Sequence, residues 1–231
     1  MRGAGWCAVS LAVATFGSGG AEPYARALRR DDDVLYLRDA RAGSSVPHST
    51  MNAARWSDDA DATDIALLRG VTGPVLDIGC GPGRMVRAAN DLGLVALGID
   101  VSPTAVAIAR AAGLQVREVS VFEMVPLEGS WATGLLVDGN IGIGGDPSAL
   151  MARCRELISP DGSVVVEVNS EPLRDDVFIG TLADIHGEQS DEFPWAEIGS
   201  TALARRSSRV GLRLAAAWAA DGRSFTRFVR A

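Results

Sequence analysis

The sequence predicts an α/β fold, a doubly wound, mostly parallel sheet with helices on both faces. Three observations carry that expectation. Short apolar runs alternate with helix-period segments, glycine or proline marks nearly every junction, and the alternation lasts about a hundred residues beyond Gly70. Parallel strands need crossovers, and right-handed crossovers place a ligand crevice beyond the strands' C-terminal ends. With 231 residues and 47% hydrophobic content, the chain fills one core or a core with a small appendage.

Taken in order, residues 1–21 carry Arg2, an apolar run from Trp6 to Phe16, and the small residues GSGGA. The pattern loosely resembles a secretory signal peptide, but it has one basic residue and no clean A-x-A site. An apolar helix or strand, or an overextended start, is the preferred reading; at roughly eleven residues the run is too short to span a bilayer. EPYARALRR, residues 22–30, suits a short helix with Pro23 in its first turn and Tyr24, Ala27 and Leu28 on one face. VLYLRDARAG reads as a small strand entering a turn, and GSSVPHST, residues 43–50, as a linker. Residues 61–69 suit a second helix, with Ile65, Leu67 and Leu68 as its apolar contacts.

VLDIG is then a strand, and GRMVRAANDLG a helix closed by Gly93. LVALGID is the next strand, and SPTAVAIARAAG a helix begun by Ser102 and Pro103 and stopped by Gly113. LQVREV and WATGLLVDG are the third and fourth strands. DPSALMARCRELI is a helix capped by Asp146, followed by a PDG turn at 160–162 and the strand SVVVEV. After Val168 the rhythm changes. Residues 171–197 hold eight acidic residues against one arginine, and residues 199–231 hold seven arginines against Asp221. An insertion is expected over 170–199, then a helix over 200–209 and two strands whose DG turn makes them an antiparallel hairpin. Residues 1–64 are expected to form an N-terminal extension and cap, and residues 65–231 the main domain.

Composition narrows the function. A net charge of -7 argues against a sequence-independent grip on nucleic acid phosphates. The chain has no lysine, which excludes a Schiff-base lysine, a P-loop lysine and a lysine general base. Cys7, Cys80 and Cys154 are widely spaced, and His48 and His186 are the only histidines. Neither a disulfide framework nor a metal site is suggested. The thiols read as reduced, the setting as cytoplasmic, and no membrane partner is expected.

VLDIGCGPGR is the most informative stretch. Gly79, Gly81 and Gly83 lie where the first core strand turns into its helix, so a ligand can rest against bare main chain. The helix N-terminus beyond, near Pro82, aims N–H groups and partial positive charge at the crevice. Asp100 ends the second strand, where a carboxylate can accept both ribose hydroxyls of an adenosine-like ligand. A dinucleotide fingerprint would be G-x-G-x-x-G, but Arg84 stands where the third glycine belongs. Asp77, two residues before the loop, would repel a pyrophosphate and suits an ammonium or sulfonium instead.

These residues resemble the class I S-adenosylmethionine-dependent methyltransferases. VLDIGCGPGR matches the first motif, LGIDVSPTAVAIAR the second, WATGLLVDGN the fourth, and LISPDGSVVVEV the helix, turn and strand that close the core. The resemblance covers a little under half the chain. It implies a Rossmann-like methyltransferase fold, a seven-stranded sheet whose last strand is antiparallel, and S-adenosylmethionine as cofactor. By that resemblance Asp77, Gly79, Cys80, Gly81 and Gly83 line the methionine and ribose part. Asp100 holds the ribose diol, Val101 lies against the adenine, and Ser120, Val121 and Phe122 flank it. The family often has an aspartate near Ser120, so adenine recognition departs from the pattern here.

DGNIGIGGDP, residues 138–147, borders the crevice where the transferred methyl should lie. Asp138 and Asn140 are the catalytic candidates, the first as proton acceptor and the second orienting an acceptor group. The alternative is a glycine-rich turn with Asp138 facing water. DGNIG departs from the N-P-P-[FY] pattern of enzymes that methylate exocyclic amines of nucleobases or glutamine, which argues against those substrates. His48, His186 and Glu171 are lesser base candidates. Tyr24, Tyr36, Trp56 and Trp195 either grip the substrate or close a core, and Arg38 or Arg55 could meet the cofactor's carboxylate. The expectation is methyl transfer to a small-molecule acceptor, with a hydroxyl preferred. A non-catalytic cofactor-binding module and a nucleotide-dependent oxidoreductase are the alternatives.

Overall fold

The computed structural model describes residues 15–17, 23–30, 34–41 and 48–231. The signal-like reading of residues 1–21, most of the 43–50 linker and Cys7 lie outside the described residues, apart from Thr15, Phe16 and Gly17 and the linker's last three positions.

The cap opens with α1 (Pro23–Arg30), β1 (Val34–Asp39) and β2 (Ser49–Asn52). Tyr24, Ala27 and Leu28 form the buried face of α1. A five-residue helix, α2 (Ala53–Ser57), was not expected; Asn52 caps it by accepting from Ala54 N at 3.0 Å. In α3 (Ala62–Arg69), Asp61 and Asp64 make a reciprocal capping box. The boundary expected between residues 64 and 65 therefore falls inside a helix.

The alternation that follows is β3 (Val75–Ile78), α4 (Arg84–Asp91), β4 (Ala96–Asp100), α5 (Pro103–Ala111), β5 (Val116–Glu118) and β6 (Trp131–Leu136). A 3-10 turn over Asn140–Gly145 leads into α6 (Pro147–Leu157) and β7 (Ile158–Val168). Ser102 and Asp146 cap α5 and α6 as expected, Asp146 accepting from Ser148 N and Ala149 N. β3 is buried at every position, because helices cover both faces of a central parallel strand. The expected PDG turn lies within the span of β7, where the chain loops out of the ladder: Trp131 pairs with Ile158, and Thr133 already pairs with Ser163.

After β8 (Asp175–Ala183), β9 (Phe193–Ile198) and α7 (Ser200–Ser208) come β10 (Leu212–Ala220) and β11 (Arg223–Arg230). The seven-stranded sheet runs β10-β11-β7-β6-β3-β4-β5, and β11 is antiparallel to both neighbours. This is the α/β, doubly wound, mostly parallel architecture that the sequence predicts.

The insertion is not irregular. β8 and β9 pair with each other, β8 pairs with β1, and the result is a second, four-stranded sheet ordered β2-β1-β8-β9. Phe178, Leu182, Phe193 and Trp195 from the insertion bury against Tyr24, Leu28, Leu35 and Leu37 from the cap. Two segments far apart in sequence thus form one layer. Between the acidic insertion and the arginine-rich tail, Arg206 meets Asp175 at 2.8 Å, while Arg174 serves Asp176 and Glu197 within the insertion.

Candidate active site

The C-terminal ends of β3, β4 and β6 open into a cleft of about 390 Å³, roofed by the cap and by β9. Its floor is the loop after β3. Gly79 and Cys80 donate their N–H groups to Ile99 O at 2.9 and 3.0 Å, which folds the loop back onto β4. Gly79 has φ +74, and an added Cβ would lie 2.7 Å from Asn140 Nδ2, so both backbone angle and space require glycine. α4 begins at Arg84, two residues later than expected, and Gly83 caps it.

Asp100 is seated by the same loop. Gly81 N donates to Oδ2 and Ser102 N to Oδ1, both at 2.8 Å. Burial raises its pKa and the backbone N–H groups oppose that rise. The helix cap of α5 is Ser102, so Asp100 has no capping duty and keeps acceptor capacity toward the cleft. Asp77 is buried beside it, and its Oδ1 has no hydrogen-bond partner. Burial first, then the negative charges of Asp138 and Asp100, push its pKa up to about 8. A buried, unpartnered carboxyl is costly unless a ligand completes it. A cation in the cleft would do so, and the ammonium of S-adenosylmethionine has the right sign. The residues present fit that cofactor.

All the expected cofactor residues except Gly83 line the cleft: Asp77, Gly79, Cys80, Gly81, Asp100, Val101, Ser120, Val121 and Phe122. Gly83 points elsewhere; an added Cβ would lie 2.5 Å from Leu114 Cδ1, so its role is helix–strand packing. Cys80 is buried and its thiol pKa is raised, first by burial, which leaves it a small wall residue rather than a nucleophile. Ser120 Oγ accepts from Phe122 N at 3.3 Å, and Glu123 accepts from Ser120 N.

The two catalytic candidates also border the cleft, with other duties. Asn140 Nδ2 donates to Ile78 O at 3.0 Å and Gly79 O at 2.9 Å, clasping the glycine loop to the 3-10 turn. Asp138, at φ +54, is paired with Arg84, and its N–H donates to Glu167 Oε2 at 2.8 Å. Arg84 also pairs with Asp64, which has no exposed surface. Arg223 completes the cluster, reaching Asp64 at 2.7 Å and gripping Glu167 through two nitrogens at 2.7 and 2.8 Å. Burial alone would raise the Glu167 pKa; Arg223 more than offsets it, and the carboxyl stays below its ordinary value. Sequence reasoning missed this network; the D-x-x-D box at Asp61 and Asp64 was its only local signal.

The cap supplies Phe16, Tyr24, Met51 and Trp56 to the cleft, and β9 supplies Pro194 and Trp195. Tyr24, Trp56 and Trp195 were expected; Tyr36 is outside, in the β1 ladder opposite Thr50 and Ala183. Arg38 and Arg55 are not in the lining, and Arg55 pairs with Asp61 at 2.9 Å. His48 lies against Phe178 and Glu197, and His186 is exposed, so neither histidine reaches the cleft. Glu171 is exposed as well.

Residues 76–166 match the family model of the methyltransferase domain. No curated protein matches the chain. Among solved structures, a Bacteroides fragilis S-adenosylmethionine-dependent methyltransferase in complex with S-adenosylhomocysteine is similar at 20% identity and TM-score 0.71, covering 93% of this chain and 94% of that one. The CcbJ methyltransferase of Streptomyces caelestis is similar at 14% identity and TM-score 0.58, over 76% of this chain and 92% of its own. The Burkholderia thailandensis 1,6-didemethyltoxoflavin-N1-methyltransferase reaches TM-score 0.56 at 18% identity, over 76% and 80%. Motifs, family match and fold agree on a methyltransferase domain over residues 76–166, set in a fold shared with solved S-adenosylmethionine-dependent methyltransferases.

Proposed function

We propose that the chain is a class I S-adenosylmethionine-dependent methyltransferase acting on a small-molecule acceptor in the cytoplasm, and that it catalyses by positioning rather than by side-chain proton transfer. The single observation that carries the reading is the cleft of about 390 Å³ over Asp77 and Asp100, covered on its outer side by apolar residues of the cap and β9, which suits a small acceptor. Asp77 would hold the cofactor's ammonium, Asp100 its ribose hydroxyls, and Val101, Val121 and Phe122 its adenine. When bound, the cofactor supplies a methyl group already activated on a sulfonium sulfur. The chain's part is to align the acceptor and exclude water, which suits the apolar roof.

Asp138 is committed to Arg84, and Asn140 to the loop carbonyls. We therefore give both a positioning role, and the preference for hydroxyl acceptors loses the side chains on which it rested. No helix among the described residues is long and apolar enough to cross a membrane. Incubation with methyl-labelled cofactor and a panel of small hydroxyl and amine compounds, with RNA and protein as separate arms, tests the proposal. Label on a small compound alone supports it; label on RNA or protein alone overturns it.

A further inference from the structure

The acceptor's chemical class can be read from the cap's side of the cleft, and this inference rests on the proposed activity. Four aromatic rings converge on Phe16: Tyr24 with its centroid at 5.0 Å, Trp195 at 5.1 Å, Phe193 at 5.5 Å from behind the lining, and Trp56 at 6.4 Å. Tyr24 and Trp56 lie 5.4 Å apart, edge to face. Phe16 is itself edge-on to Tyr24 at 63° and tilted 30° from Trp195, so a six-membered ring already sits comfortably against this wall. Charge is accounted for. The guanidinium that lines the cleft, Arg84, is held between Asp64 and Asp138, and among the described residues no second cation stands in the lining to receive an anionic acceptor. A cationic acceptor would have to lie beside a sulfonium, where like charges repel.

We propose that the acceptor is a neutral molecule that presents a planar aromatic ring to the wall of Phe16, Tyr24, Trp56 and Trp195, with its nucleophilic oxygen or nitrogen carried on that ring. Rings pack on rings through offset and edge contacts that a saturated ring of equal size cannot reproduce. The wall therefore selects for flatness as well as for apolarity.

Calorimetry on the full chain saturated with S-adenosylhomocysteine tests this without turnover. The probes are 2-naphthol, decahydro-2-naphthol, 2-naphthoate and (2-naphthylmethyl)trimethylammonium. The expected result is 2-naphthol binding at least tenfold more tightly than each of the other three. Trp56→Ala should lose at least fivefold of that affinity with S-adenosylhomocysteine affinity unchanged. Phe16→Leu, which keeps apolar volume and removes the ring, should lose a similar factor and serves where Trp56→Ala does not fold. Equal affinity for the saturated ring, or preference for either ion, overturns the inference. Failure of S-adenosylhomocysteine itself to bind would instead overturn the cofactor assignment, so the two failures are separable.

Discussion

A carboxyl sealed from water without a partner keeps its proton, and Asp77 keeps one up to about pH 8. The unfolded chain releases it near 3.8, so between these values the ligand-free folded state carries a proton that the unfolded state lacks. Stability from this group is full below the lower value and is lost as pH rises through the upper one. A bound ammonium reverses the preference. At pH 7, S-adenosylmethionine binding should release about one proton, seen as a binding enthalpy that changes with the buffer's ionisation enthalpy. Affinity should rise about tenfold per pH unit between pH 6 and 7, peak near 8, and fall above it as the cofactor's own α-amino group, ordinarily near 7.7–8.0, loses its proton. Asp77→Asn should abolish both effects; a buffer-independent enthalpy in the wild type would contradict the assignment. Asp100 makes a separate prediction. Asp100→Asn should cost about 1.5–3 kcal/mol of cofactor affinity, the range for hydrogen bonds to a charged group, while the circular dichroism spectrum stays unchanged.

At the scale of elements, the 3-10 turn shows why NIGIGG is so poor in side chains. β9 crosses over it, and a Cβ on Gly142 would lie 2.5 Å from both Ala196 O and Trp195 Cε2. A backbone carbonyl cannot swing aside. Gly142→Ala should therefore cost roughly 1–3 kcal/mol in denaturant unfolding, and an unchanged midpoint would mean that β9 sits elsewhere. The helices around the glycine loop were legible because Ser102, Asp146 and the terminal glycines are local signals, as was the antiparallel pair at Asp221 and Gly222. β8 and β9 were not legible. β8 opens on Asp175 and Asp176, β9 carries Pro194 and Glu197, and β1, the partner of β8, lies about 140 residues away in sequence. α2 is too short for a periodic pattern to register.

At the scale of the molecule, the cap, the main sheet and the chain's end meet at Asp64. It has no exposed surface and is held by Arg84 from α4 and Arg223 from β11. Asp64→Ala would leave two arginines without their shared carboxylate, and a loss of about 3–5 kcal/mol is expected in thermal or denaturant unfolding. A loss below 1 kcal/mol would show that the network contributes little. Beyond the capping pair at Asp61 and Asp64, no local pattern announces that residues 64, 84, 138, 167 and 223 converge, so this part of the site had to come from the fold. What was legible in the sequence was the floor of the cleft, since the glycine loop and the two aspartates belong to consecutive strand–helix units. The claim beneath all of this is that Asp77 and Asp100 frame a seat for a positively charged adenosine derivative. Side-by-side calorimetric titration with S-adenosylmethionine and NAD tests it most directly. The account predicts saturable binding of S-adenosylmethionine at one per chain and no heat from NAD; binding of NAD alone would contradict it.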